Sequence, residues 1–393
     1  VAFSLFEKRS LMLILVLWMA LGLVILTAGA ESMVRGASSL AIAMKISPLV
    51  VGLTVVAYGT GAPELVVSLQ ALANGQGDIT IGNVIGSNIF NILITLGFAA
   101  MITPLVVSQQ LIRFDVPLLI ILSVMFGVFS LDGRIEFGEA VVFASSLAVY
   151  TFWAIYKSRR EQKKIEKQYE AEFGVAVKPS IGNIAFELFL VALGLGLLLY
   201  GAQMFLDNAV ILARQFGMSE LMIGLTLVAA GTSLPELATT VTAALRGDRD
   251  IAVGNAIGSS LFNIMGVLGI SGMVAQNGLP VSSDALIFDI PVLIAVSVAC
   301  LPVFFIGHKI ERWEGAVFVG YYVAYTTYMV LEATDSTVTR TFSVIMLGFV
   351  IPLTVITCLI GLYRTIFLTP KVSVTVESQA AGDLPKGAAG SEE

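Results

Sequence analysis

Two glutamates stand alone in long apolar stretches. Glu64 is the only charged residue between Lys45 and Asp78, and Glu236 the only one between Glu220 and Arg246. A carboxylate at the middle of a bilayer costs about 3 kcal/mol or more, so it lines a cavity or meets a cation. No Lys or Arg lies in either stretch, and every basic residue maps to a loop or to the end of an apolar run. The counter-charge is therefore a mobile cation. Two facing carboxylates balance one divalent ion or two monovalent ions. A protonated or hydroxyl-bonded glutamate with a purely structural role is the simpler account of one such residue. Two at matching places in a repeat argue against it.

The flanks of both glutamates supply oxygen. Gly59-Thr60-Gly61-Ala62-Pro63 and Gly231-Thr232-Ser233-Leu234-Pro235 should break their helices. Proline lacks a backbone donor and crowds the carbonyl four residues back, here those of Gly59 and Gly231. Carbonyls freed at such a break can coordinate cations. Thr60 and Thr232 lie one turn before the glutamates on the same helical face. Ser87 and Asn91 are four residues apart, as are Ser259 and Asn263, so each pair shares a face. Gly82-xxx-Gly86 and Gly254-xxx-Gly258 let their helices approach neighbours closely. The stretch from Gly82 to Asn88 lies in an apolar span without Lys, so it is no phosphate cradle.

This donor set is carboxylate, amide, hydroxyl and carbonyl, which suits hard cations. Calcium accepts six to eight flexible oxygen ligands, whereas magnesium demands a tight octahedron and sheds water reluctantly. A mobile site of this kind favours calcium and sodium. Other chemistries lack their residues. Cys300 and Cys358 both sit in apolar runs, there is no CxxC pattern, and the single histidine, His308, neighbours Lys309 and Glu311. Zinc, copper and haem have no ligand cluster. The buried serines have no nearby His or Lys to serve as a base, which argues against an intramembrane hydrolase.

The elements that must position these groups are membrane spans. The chain has 393 residues, of which 57% are hydrophobic and 13% charged. Its mean hydropathy is +0.91. A soluble globule needs more polar surface than this. Runs of about 20 apolar residues predict eleven spans, at 11–30, 47–73, 79–101, 114–131, 136–156, 183–205, 219–245, 251–275, 285–306, 313–331 and 341–363. The second and seventh carry the Gly-Pro-Glu segments. The richest basic stretch runs from Lys157 to Lys178. Placing it in the cytoplasm puts all but five of the 22 basic residues inside, the exceptions being Lys8, Arg9, Arg134, Arg214 and Arg340. The N-terminus is then outside and the C-terminus inside. Ala28-Gly29-Ala30 mimics a signal-peptide cleavage site, but Gly29-Ala30 recurs as Gly201-Ala202 and reads as part of a repeat.

That repeat is pronounced. Shifted by 172 residues, 52–97 aligns with 224–269 without a gap, and 24 of 46 positions are identical. Pro63-Glu64-Leu65 meets Pro235-Glu236-Leu237, Gly82-Asn83 meets Gly254-Asn255, and Phe90-Asn91-Ile92 meets Phe262-Asn263-Ile264. A weaker echo pairs Phe114-Asp115 with Phe288-Asp289 and Ile135-Glu136 with Ile310-Glu311. Each unit holds five spans. An odd number sends the second unit into the membrane from the opposite side, which is an inverted-topology repeat. The expected fold is an all-α polytopic membrane protein. Residues 1–156 form the first five-helix repeat, 157–182 a basic cytoplasmic loop and 183–332 the second repeat. Residues 333–369 add an eleventh transmembrane helix, and 370–393, rich in Ala, Gly, Ser and Glu, a disordered tail.

The paired Gly-Thr-x-x-Pro-Glu-Leu segments, each followed by Gly-Asn-x-x-Gly-Ser, resemble the α-repeats of the calcium/cation antiporter superfamily. The likeness is strongest to the prokaryotic sodium/calcium exchangers and covers spans one to ten. It implies alternating access in a cell membrane, with sodium entry driving calcium out and with no cofactor or nucleic-acid partner. By this resemblance Glu64 and Glu236 bind calcium and share in the sodium sites, and Thr60 and Thr232 flank the central site. Ala57 and Ala229 match backbone carbonyl ligands. Ser87, Asn91, Ser233, Ser259 and Asn263 match side-chain ligand positions. Gly61 departs from the pattern, standing where family members usually carry a serine, as Ser233 does. Asn263 stands where the potassium-dependent branch carries Asp. The proton/calcium branch has an extra Glu where this chain has Ile85 and Ile257. A proton-coupled antiporter of the same fold and a passive cation channel are the alternative readings, and the oligomeric state stays open.

Overall fold

The computed structural model describes residues 2–173, 184–216, 218, 229–334, 336 and 338–363. Within them the chain is helical from end to end: α1 (Ala2–Met44), α2 (Pro48–Ala73), α3 (Gly77–Ile102), α4 (Leu111–Phe129), α5 (Phe137–Phe173), α6 (Ile184–Gln215), α7 (229–246), α8 (Arg249–Val274), α9 (Ala285–Phe305), α10 (Arg312–Ala333) and α11 (339–363). Among the described residues nine helices are long and apolar enough to cross a bilayer. The protein is a polytopic all-α membrane protein.

Two expected boundaries are overturned. The first span, read as 11–30, continues as helix to Met44. Ala30, Met33, Val34, Ala37, Leu40 and Ala41 are all buried and form one helical stripe. The charges that ended the apolar run are satisfied on the opposite side. Glu31 pairs with Arg35 at 2.7 Å and also with Arg246 of α7. The stretch 157–173, read as loop, extends α5 by four further turns and more. Its Lys, Arg, Glu and Gln are strong helix formers, so a break in hydropathy is not a break in the helix. The remainder of that basic segment, the first part of the seventh span (219–228) and the tail 370–393 lie outside the described residues.

α1 and α6 run antiparallel along a seam of glycines. A Cβ on Gly29 would lie 2.6 Å from the Leu198 nitrogen, and one on Gly194 would lie 2.5 Å from the Met33 nitrogen. Gly22 and Gly201 meet in the same way. Small residues let backbones touch in lipid, where apolar burial supplies no drive. α8 is the most enclosed helix. Every residue from Ile251 to Phe262 is buried, as expected for a central element that is hydrophobic all round. α11 is peripheral, with no residue of its apolar window buried. Tyr321 of α10 donates to Thr354 Oγ1 of α11 at 2.6 Å.

Short antiparallel ribbons join the loops. β1 (Leu105–Val106) pairs with β4 (Lys309–Ile310), and β2 (Arg134–Ile135) pairs with β3 (Leu279–Pro280). Each ribbon is extended by one backbone bond, Val107 N–H to His308 O and Val281 N–H to Gly133 O.

Candidate cation site

The site forms where α2 and α7 break. The regular helix of α2 is interrupted at Gly61 (φ −80°, ψ −1°), and that of α7 at Ser233 (φ −92°, ψ 8°). Pro63 and Pro235 then sit in the first turn of the half-helices that follow, where a missing N–H costs nothing. Glu64 and Glu236 occupy the same first turns. The partial positive charge of a helix N-terminus favours a carboxylate there. Each half-helix thus offsets part of the cost of burying its own glutamate and leaves the negative charge available to an ion.

Both glutamates are fully buried, within electrostatic reach of one another, and held from behind. Asn83 of α3 donates to the Glu64 carbonyl and to Ser68 Oγ, both at 3.0 Å. Asn255 of α8 donates to the Glu236 carbonyl at 3.2 Å and to Thr240 Oγ1 at 3.0 Å. These two asparagines belong to the repeated Gly-Asn motif, yet the sequence reading gave them no role. Their signal was position 19 residues after each glutamate in both copies.

Cross-links between the halves bring the other candidates in. Ser233 Oγ donates to Glu64 Oε1 at 3.2 Å. Thr60 Oγ1 lies 3.3 Å from Asn255 Oδ1 and 3.5 Å from Ser259 Oγ, and Ser259 in turn reaches the Ala57 carbonyl at 3.5 Å. That carbonyl also accepts the Gly61 N–H at 2.9 Å, so the break at Gly61 leaves it engaged rather than bare. Gly254 and Gly258 of α8 make this approach possible. A Cβ on Gly258 would lie 2.6 Å from Leu53 Cα and 2.8 Å from Ala57 Cβ. Asn91 and Asn263 open π-helical turns at Asn91–Leu96 and Asn263–Leu268. π-turns inside α-helices occur often at functional sites. Thr232 is half-buried. Ala229 begins the short helical piece before the α7 break, and its side chain lies outside the described set.

The satisfaction of these groups sets them apart. Several other buried hydroxyls in the spans close onto their own helix. Thr54 reaches the Val50 carbonyl at 2.6 Å, Ser123 that of Leu119 at 2.8 Å and Ser297 that of Leu293 at 2.8 Å. At the candidate site, Glu64 Oε2, both carboxylate oxygens of Glu236, Ser87 Oγ, Thr232 Oγ1 and both polar atoms of Asn91 and Asn263 have no hydrogen-bond partner of normal length, although the Ser87 hydroxyl lies towards Glu64 and the Thr60 hydroxyl towards Glu236. Buried polar groups without partners are rare and costly. Asn88 Oδ1 and the hydroxyls of Thr95, Thr239 and Ser271 are also unpartnered, and the sequence reading did not single them out. Among the described residues no three His, Cys, Asp or Glu side chains gather as a metal cluster. The candidate set is two carboxylates among neutral oxygens.

Residues 14–156 and 186–331 match the sodium/calcium exchanger protein family. The putative antiporter CaxA of Alkalimonas amylolytica is 36% identical over 80% of this chain and 98% of its own length. The sodium/calcium exchanger MaX1 of Methanosarcina acetivorans is 32% identical over 78% of this chain and 95% of its own. A solved structure of the sodium-calcium exchanger NCX_Mj superimposes with a TM-score of 0.67 at 29% identity, covering 79% of this chain and 97% of the other. The chain belongs to the sodium/calcium exchanger family of cation/calcium antiporters and is a multi-pass integral membrane protein.

Proposed function

We propose that this protein exchanges sodium for calcium by alternating access around Glu64 and Glu236. One observation carries the reading: the partnerless oxygens are concentrated on the two broken helices and on the α3 and α8 faces that meet them. A cation satisfies carboxylate, amide and hydroxyl oxygens together. A hydrogen-bond donor would satisfy only one at a time. The ligand set is Glu64, Glu236, Thr60, Thr232, Ser87, Ser233, Ser259, Asn91 and Asn263 with the carbonyls of Ala57 and Ala229. Calcium and sodium compete because both need the same two charges. An empty site would leave like charges facing each other in a poorly solvated space. That penalty discourages return without an ion and couples the two fluxes.

The reading includes two inverted five-helix repeats, with α11 added outside them. Support comes from contacts that recur with their partners exchanged. Leu105 pairs with Ile310 while Ile135 pairs with Leu279. Gly97 of α3 abuts Val319 of α10 while Gly269 of α8 abuts its counterpart Ala144 of α5. Ser123 and Ser297, equivalent by the repeat, face each other at 3.3 Å. Such reciprocity is what a two-fold axis in the membrane plane produces. The reading places the N-terminus outside and the basic segment after Lys157 in the cytoplasm.

The test is calcium uptake into proteoliposomes loaded with sodium. An outward sodium gradient should drive uptake, and a pH gradient alone should not. Uptake driven by the pH gradient without sodium would assign the chain to proton coupling, and uptake without any counter-ion would make it a passive pathway.

A further inference from the structure

The two halves of the molecule differ in what ties a broken helix to its neighbours. Tyr58 lies on α2, one turn before the interruption at Gly61. Its ring stacks on Phe262 of α8, with centroids 4.9 Å apart and planes 28° apart. Its hydroxyl meets Thr151 Oγ1 of α5 at 2.6 Å. Thr151 gives its own hydrogen to the Leu147 carbonyl at 2.7 Å, so Tyr58 is the donor. Phe262 touches α2 a second time, for a Cβ on Gly61 would lie 2.8 Å from its Cδ1. Residues 58 and 61 share a helical face, so one ring bridges the turn that leads into the interruption. Phe262 directly precedes Asn263, where the π-helical turn of α8 begins. The α5 end of the tie is itself fixed, since Tyr150, next to Thr151, donates to Asp115 of α4 at 3.0 Å.

The second half keeps these parts but places the ring elsewhere. Tyr325 donates to Asp289 at 2.9 Å, as Tyr150 does to Asp115. Thr326 follows Tyr325 as Thr151 follows Tyr150. The tyrosine whose hydroxyl lies towards Thr326 is Tyr322, on the same helix, α10. Tyr322 meets Phe90, the counterpart of Phe262, edge-on at 5.5 Å and 86°. The residue of α7 equivalent to Tyr58 is Ala230, which has neither ring nor hydroxyl. In both halves, then, the phenylalanine before the site asparagine meets a tyrosine set beside the equivalent threonine. Only in the first half does that tyrosine belong to a broken helix.

We infer that Tyr58 is a positioning residue, which ties the interruption of α2 to α5 and α8 and so fixes the Glu64 half of the site, while the α7 interruption has no such tie. It acts through the α2 backbone, between the Ala57 carbonyl and the Thr60 hydroxyl. Groups held in place before a ligand arrives cost less to order on binding. Loss of the tie therefore weakens ion binding rather than the capacity for turnover. The inference rests on the sodium/calcium exchange proposed above and adds which half of the site is held from outside.

The test measures both the calcium concentration for half-maximal flux and the maximal flux in sodium-loaded proteoliposomes. Tyr58→Phe keeps the stack and removes the hydroxyl, and Thr151→Val removes the acceptor. Each should raise the half-maximal concentration about fivefold, the order of one hydrogen bond, with maximal flux little changed. The double variant should be no worse than either, because both remove the same interaction. Tyr58→Ala, which gives α2 the residue of α7, should shift it further, since stack and bond are both lost. Tyr322→Phe makes the same change in the second half and should leave the half-maximal concentration unaltered. Three results would overturn the inference while exchange itself stands: no shift in Tyr58→Phe and Thr151→Val, additive shifts in the double variant, or a loss confined to maximal flux. An equal shift in Tyr322→Phe would overturn it too, because the two halves would then be braced alike. Wild-type protein without sodium-driven calcium movement would overturn both readings.

Discussion

Buried polar groups at the centre of this protein and those between its outer helices look alike in sequence and behave differently in structure. Ser123 and Ser297 are as buried as Ser87, and each spends its hydrogen on a carbonyl one turn back. Ser87, Asn91, Asn263 and Glu236 have no such outlet. Burial alone therefore does not distinguish the candidate site; the lack of a partner at several of its carboxylate and amide oxygens does. The two kinds of position should answer mutation in opposite ways.

The largest effect is expected at the carboxylates. Glu64→Gln and Glu236→Gln each remove half the charge facing a divalent ion in a poorly hydrated site. Sodium-driven calcium flux should fall about a hundredfold or more, following the 3–5 kcal/mol typical of breaking a buried charge pair. Thermal stability in detergent should be unchanged or raised, because a facing like charge is gone. Near-normal flux in either variant would place the ion elsewhere.

A smaller loss is expected one layer behind. Asn255→Ala frees the Glu236 carbonyl and Thr240 without touching the carboxylate. The calcium concentration for half-maximal flux should rise about tenfold, the cost of one buried hydrogen bond left unmade, while the charge-dependent competition with sodium persists. Equal loss at Asn83→Ala would make the two braces equivalent. The control is Ser297→Ala, whose hydroxyl is satisfied within its own helix. Flux should stay within about twofold of wild type, since such back-bonded hydroxyls contribute little. A large loss there would erase the distinction drawn above. Finally, replacing potassium by choline should leave sodium-driven calcium flux unaltered, because two carboxylates are already balanced by calcium. Asn263→Asp adds a third carboxyl, and a gain of potassium dependence in that variant would mark the position as the one that admits another monovalent ion.

The grouping of the candidate residues was legible because it depends on spacing along single helices. Thr60 and Glu64, or Ser87 and Asn91, share a face by virtue of helical period alone. The repeat makes the two glutamates equivalent by sequence alone. What lay beyond the sequence depended on contacts between helices. Glu31 and Arg35 appeared to close the first span, and only the approach of Arg246 shows how they are accommodated within a longer helix. The helical run after Lys157 has no apolar pattern to announce it. Phe262 read as one more apolar residue in a repeated motif. Its seat against Gly61 depends on Tyr58, which has no counterpart in the other repeat.

The four short strands have a consequence for how the protein is made. Each ribbon joins a loop of the first half to a loop of the second. When residues 105 and 135 leave the ribosome, their partners at 310 and 279 have not yet been synthesised. At translation rates of 5–20 residues per second the first loop waits about 10–40 s with its edge groups exposed. An exposed strand edge invites mispairing. These edges are only two residues long, too short to hold a wrong partner firmly. Both halves of the chain must therefore be in the membrane before either half can finish its own loops.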